Sequence, residues 1–398
     1  MPTALTPKAW GGVLRDHRGA IAVVQWAFVL LYLVLLIVPV LPGLAPEIAR
    51  PVGLAAEVLF WGVWWPGVIL SMLLFGQFWC GLFCPDGTLT EFASRHGRGA
   101  KIPAAWLRLP ALPIALFAAT SLIEYSLGTH VSAHGTLAVT GSTSLLALAC
   151  GALFGRGKRV WCRYACPVGG VFSLLARCAV LHYRVDRAAW DAASRPAPKP
   201  VDCPPLLDIR RLTSNEKCNM CGRCSGHRNA VELAWRPPGE ELMRLRDDEV
   251  RRWEAAAIVF VLIGLLYGCS YWKEHGPAAI LLAALGLGTT TALFLVAATG
   301  DRDGALRLAY TLIPLGGFGL FLGALEHALH LLHEAGCSIT ATGLYVLRVA
   351  VLAVGTTWSG WAGLTVLAQV PVWRRVVHAS GLSCLAVAYT LAPNPFPA

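Results

Sequence analysis

The chain has 398 residues, of which 56% are hydrophobic and 14% charged, with a formal net charge of +10 and 13 cysteines. So small a charged share excludes a soluble enzyme and makes a lipid bilayer the main solvent. The positive charge lies beside apolar stretches without a soluble basic domain, so it reads as anchoring against anionic headgroups and implies no nucleic-acid partner.

Crossing the hydrocarbon layer takes about 20 apolar residues. Such stretches occur at 20–42, 54–76, 104–124, 137–154, 254–272, 277–298, 308–332 and 342–370, and more weakly at 376–393. They predict an all-α polytopic membrane protein with eight or nine transmembrane helices. The first stretch is too long for a signal-peptide core and lacks a cleavage pattern, so it reads as a retained helix. Basic residues fall on alternate loops: Lys8, Arg15 and Arg18; Arg95, Arg98 and Lys101; the long segment 155–253; Arg302 and Arg307; Arg374 and Arg375. The positive-inside tendency then puts the N-terminus and these loops on the cytoplasmic side of the membrane.

Three parts follow: a membrane domain of four spans at 1–181, a polar cytosolic insert at 182–253, and a helical membrane bundle at 254–398. The insert ends in GEELMRLRDDEVRRW, whose mixed charge predicts a solvated helix leading into the fifth span. A reducing cytoplasm argues against a disulfide framework and makes clustered cysteines candidate ligands. Cys150, Cys178, Cys269, Cys337 and Cys384 stand alone in apolar sequence and read as small core residues.

Two segments share the pattern C-x3-C-P-x-G: CGLFCPDGTLTEF at 80–92 and CRYACPVGGVFSLLAR at 162–177. Each follows a span, so the unit of span plus thiol loop is repeated. Proline suits the first turn of a helix, which would put Cys84 and Cys166 at helix N-termini, where the dipole lowers a thiol's pKa. Arg156, Lys158, Arg159 and Arg163 add positive charge there. Cys80, Cys84, Cys162 and Cys166 together make one four-thiol set for a [4Fe-4S] cluster or zinc. A single soft metal such as Cu(I), or close-packed turns with merely small side chains, are the rival readings.

In the insert, Cys218, Cys221 and Cys224 form a C-x2-C-x2-C run, and Arg228 stands where a fourth cysteine would follow. In bacterial ferredoxins that fourth cysteine, followed by proline, ligates the other cluster of a pair. Cys203-Pro204 supplies such a tail, while Ala193, Pro196 and Lys199 hold the places of the other cysteines in its run. One lost cluster explains every departure, leaving Cys203, Cys218, Cys221 and Cys224 as ligands of the one retained. Zinc on the same four thiols is the rival, and His227, beside the run, reads as a surface residue.

The doubled C-x3-C-P-x-G loops followed by CPPLLDIRRLTSNEKCNMCGRC (203–224) resemble the membrane polyferredoxins of the NapH, NosR and CcoG type, over roughly residues 55–235. Among these, ferrous-iron-uptake accessory proteins look most similar. The resemblance implies a small ferredoxin-like insert and electron transfer at the cytoplasmic membrane, serving quinol-linked enzymes, copper reduction or periplasmic metal handling. The missing second cluster and the extra bundle from 254 onward depart from it and put a two-cluster relay through the insert in doubt.

Six of the eleven histidines, His130, His134, His275, His327, His330 and His333, fall on the non-cytoplasmic side of this topology. His327, His330 and Glu334 share one helical face, and Glu326, His330 and His333 an adjacent one. They are candidate ligands for haem iron, copper or ferrous iron, or a quinol site; solvated imidazoles at a helix end are the alternative. The separation from the cysteines, most of a ~30 Å layer, calls for an intermediate centre such as haem or quinone. The expected function is passage of electrons between a cytoplasmic or quinone pool and a redox partner protein in the membrane or periplasm, with no catalytic residue of its own. The alternatives are a copper- or iron-handling protein using the C-x3-C-P thiols and a redox-sensing regulator.

Overall fold

The computed structural model describes residues 6–43, 45–129, 132–193, 200–334, 336–337 and 340–392. His130, Pro196, Lys199 and the side chain of Glu334 lie outside this description. Among the described residues, seven helices are long and apolar enough to cross a membrane: Arg18–Val40, Glu47–Phe75, Ala133–Leu153, Arg252–Tyr271, Lys273–Thr299, Arg302–His333 and Ala341–Val366. Helices satisfy every interior backbone group within the segment, which the hydrocarbon layer demands of a spanning element.

Two of the nine expected spans do not reach that standard. The 104–124 stretch is broken at Leu109-Pro110 into Ala104–Arg108 and Leu112–Leu127. Proline disfavours the helical conformation of the residue before it, and the remaining 16 residues are short of the layer's thickness. Helix Val372–Thr390 carries Arg374, Arg375 and His378 in its first two turns, which lowers its apolarity. The segment leading into Arg252–Tyr271 also differs from its expected single helix: it forms the short turns Glu240–Met243 and Asp247–Glu249. Arg246 interrupts them, its extended backbone capping the second turn and its guanidinium meeting Asp248.

The chain divides into two compact units, each assembled from separated stretches of sequence. The first comprises Met1–Val34, Ser71–Leu116 and Thr140–Pro238. It contains both C-x3-C-P loops and the cysteine run. Its only sheet among the described residues is an antiparallel pair, β1 (Leu181–Val185) and β2 (Val231–Trp235), in register from Leu181 opposite Trp235 to Val185 opposite Val231. The alternating pattern turns Leu181, Tyr183, Val231 and Leu233 inward, where they pack with Cys203, Cys218, Met220 and Cys224. The strands thus bracket the cysteine segment and give it a small core.

The second unit comprises Leu35–Leu70, Phe117–Val139 and Gly239–Ala398. Helix Ile313–Glu334 packs on the π-helical stretches Val58–Trp64 and Ala257–Leu265. A buried ion pair joins two of its spans: Arg348 Nε donates to Glu326 Oε1 at 2.5 Å, with the Tyr271 ring 5.2 Å from the guanidinium carbon. Of the isolated cysteines, Cys150, Cys178 and Cys269 are buried as expected, whereas Cys337 and Cys384 are exposed.

Candidate iron-sulfur site

The two loops have one local architecture. A five-residue helix (Phe78–Leu82, Val160–Tyr164) carries the first cysteine, one residue breaks it, and the second cysteine caps a new helix opened by proline (Pro85–His96, Pro167–Leu175). The proline placement predicts this, because its missing N–H is one of the unpaired donors of a first turn. Cys84 Sγ accepts the Gly87 N–H at 3.4 Å. Cys166 makes no such cap bond, although a Cβ on Gly169 would stand 3.6 Å from its Sγ.

The expected lowering of the thiol pKa does not occur. Burial pushes Cys84 up to about 11, with Asp86 adding to the shift against the Gly87 amide. Cys80 and Cys166 are raised further by burial and then by their neighbouring thiols, Cys84 and Cys162 for the first and Cys162, Cys84 and Cys80 for the second. Desolvation therefore outweighs the helix terminus. The two loops meet in the structure: Arg159, three residues before Cys162, donates to the Cys80 carbonyl at 2.6 Å, and helix Val160–Tyr164 packs on helix Pro85–His96.

The second set forms likewise. Burial raises Cys218 to about 12, with Cys221 and Cys203 contributing, and Cys224 is raised by burial and by Cys218, Cys221 and Cys203. Cys203 Sγ accepts the Leu207 N–H at 3.5 Å. Leu206, Met220, Arg228 and Asn229 have φ between 50° and 59°, the non-glycine residues in the left-handed region among those described. Such backbone is unfavourable and persists where the surroundings over-determine it. Here it wraps the four cysteines. Arg228, standing at the missing cysteine, donates to the Trp190 carbonyl at 3.2 Å and lies over the Trp190 ring, which also meets His227. An aromatic and cationic stack thus occupies the place of that ligand.

The two thiol sets are packed against each other. A Cβ on Gly81 would stand 1.9 Å from the Asn219 carbonyl oxygen and 3.1 Å from the Cys221 nitrogen, so the first loop touches the backbone of the cysteine run. The second loop touches the Cys203 segment: the Arg159 N–H donates to the Pro204 carbonyl at 2.8 Å and Arg163 to the Pro205 carbonyl at 2.6 Å. Gly81→Ala is expected to destabilise this unit by about 1–3 kcal/mol, as overpacking does, read as a lower thermal midpoint in detergent.

Sequence reasoning did not single out the residue that joins these pieces. Glu91, on the first loop's helix, accepts from Arg159 Nε at 2.8 Å, from Arg95 at 2.7 Å and from Arg223, which lies between Cys221 and Cys224. Arg159 in turn donates to the Cys80 carbonyl at 2.6 Å. Burial alone would raise the Glu91 carboxyl, but the Arg159 and Arg223 guanidiniums hold it down at about 2. The stabilisation this implies is complete above the ordinary glutamate range and is lost progressively as pH falls from that range through about 2. The local signal was an acid in mid-helix among buried Thr88, Leu89, Thr90 and Ser94.

The donor chemistry fits iron-sulfur clusters. Each set offers four thiols, as a [4Fe-4S] cluster needs. Asn219 Nδ2, within the run, and Trp161 Nε1, next in sequence to Cys162, are buried donors without a protein acceptor. Among the described residues no three His, Cys, Asp or Glu side chains stand close enough to hold a single metal ion. A cubane makes no such demand, because each thiolate binds a different iron.

Residues 57–103 and 137–185 match the family model described as a 4Fe-4S binding domain. The chain is similar to iron-sulfur binding proteins. Each matched segment includes one C-x3-C-P loop, whereas the run at 203–224 lies outside both. No curated protein and no solved structure matches the chain.

The histidines of the second unit are arranged otherwise. The His327 ring meets Trp61 edge-on at 6.4 Å, His333 Nδ1 is 3.2 Å from the Cys337 carbonyl oxygen, and His275 meets Trp272. His330 is half-buried on the same helix.

Proposed function

We propose that this protein is a membrane-bound electron-transfer component carrying two [4Fe-4S] clusters, one on Cys80, Cys84, Cys162 and Cys166 and one on Cys203, Cys218, Cys221 and Cys224. The observation that carries the reading is the contact of Gly81 with the Asn219 and Cys221 backbone, which joins the first thiol loop to the cysteine run. A bound cluster supplies one-electron redox chemistry. The chain's own part is to hold four thiols per site in a desolvated pocket, release their protons as iron binds, and surround the resulting anions with Arg159, Arg163 and Arg223.

The reading extends to a membrane polyferredoxin of the NapH, NosR and CcoG type, with the N-terminus and both thiol sets facing the cytoplasm of a bacterial cell. Electrons would then pass between a cytoplasmic or quinone pool and a membrane or periplasmic partner. A haem or quinone near the histidine-bearing helix ends would complete a path across the membrane.

Protein purified anaerobically is expected to hold about eight irons and about eight inorganic sulfides per chain, with reduced-cluster EPR signals. About four irons would reduce the reading to one cluster. Stoichiometric copper or zinc without iron would overturn it.

A further inference from the structure

We infer that Glu91 is a positioning residue that locks the two thiol sets together and sets the electrostatic field felt by both. The inference rests on the two-cluster reading above.

Glu91 takes one buried or half-buried arginine from the neighbourhood of each set. Arg159 stands three residues before Cys162 and holds the Cys80 carbonyl, so it clips both loops of the first set. Arg223 stands inside the cysteine run of the second set and also meets Asp202, next to Cys203. Lys158 bonds the same Asp202, so the charges form a continuous chain, Lys158, Asp202, Arg223, Glu91 and Arg159. Only Arg95, largely exposed, is a peripheral member.

The chemistry gives this arrangement a purpose beyond packing. A cluster held by four thiolates is an anion, and two of them side by side repel. Two guanidiniums between the sets offset that repulsion, yet two cations in one desolvated space would repel each other. A single carboxylate between them resolves this, and its oxygens accept from both forks in charge-assisted bonds. Removing the carboxylate leaves net positive charge beside both sites, which favours the reduced, more negative state of each. Removing one arginine does the reverse. A purely structural brace would not make the two changes act in opposite directions.

The test uses the full chain, purified anaerobically in detergent, with iron and sulfide counted before EPR-monitored redox titration. Glu91→Gln is expected to shift both reduction equilibria at least tenfold toward the reduced state, 59 mV for a one-electron couple. Arg223→Gln should shift the equilibrium of the 203–224 site at least tenfold the other way. Glu91→Asp, which keeps the charge, should stay within threefold of wild type. If Glu91→Gln loses its clusters, the Arg223→Gln titration decides alone. Wild type with about eight irons, together with unshifted or same-direction potentials in the variants, overturns this inference and leaves the functional reading intact. Wild type without clusters overturns both.

Discussion

Cys203→Ser is expected to abolish one cluster and spare the other, lowering iron from about eight to about four per chain. The run at 218–224 supplies three thiols, and a four-thiolate cluster assembled on three is incomplete. Cys203 is the thiol the fold brings to them: it is coupled to Cys221, and both Cys218 and Cys224 feel its charge. It reaches that place because β1 and β2 close a small core around it, and because Lys158 and Arg159 grip the Cys203 and Pro204 carbonyls. Serine is nearly isosteric, so the backbone contacts persist while the soft ligand is lost. The remaining signal should be that of the loop site. Cys84→Ser is the mirror experiment and should leave the 203–224 signal. Loss of both signals from either variant would mean that the sets do not assemble as separate ligand groups.

Arg348→Met is expected to destabilise the second unit by about 3–5 kcal/mol, the cost of leaving one partner of a buried pair unmatched. Both Glu326 and Arg348 are only 5% exposed, and the fork is fully engaged, Nε and Nη2 on the carboxylate and Nη1 on the Ala392 carbonyl. In the single variant the carboxylate keeps its desolvation and loses its counter-charge. The double variant Glu326→Leu, Arg348→Met removes both charges and should recover most of the loss. Thermal unfolding in detergent, followed for both proteins and the wild type, measures the difference. Equal destabilisation by the single and double variants would show that packing around Arg348, not charge burial, dominates.

Much of the local architecture was legible in sequence. Proline after Cys84 and Cys166 marked two helix starts, and both helices begin there. The apolar runs marked the spans, although length and apolarity removed two of the nine, for reasons visible at Pro110 and at Arg374 and Arg375. The thiol pKa values moved opposite to expectation. A helix terminus can be read from a motif, but the depth of burial that overrides it depends on what packs above.

The spacing of the cysteines by itself marked two C-x3-C pairs and a C-x2-C-x2-C run, because spacing within a turn is a local property; that the two pairs make one set of four was an expectation. The gap at Arg228 and its companion Cys203 could be read in the same way. Only the tertiary structure decided that the two sets lie against each other. That contact is made by Gly81 and Asn219, and by a carboxylate whose arginine partners stand 68 and 132 residues away. Contacts at such separation depend on how whole loops pack, and no periodicity or motif along the chain records them. An acid and an arginine far apart in sequence carry no mark of being partners until burial strips both of water and makes each the other's only adequate solvent.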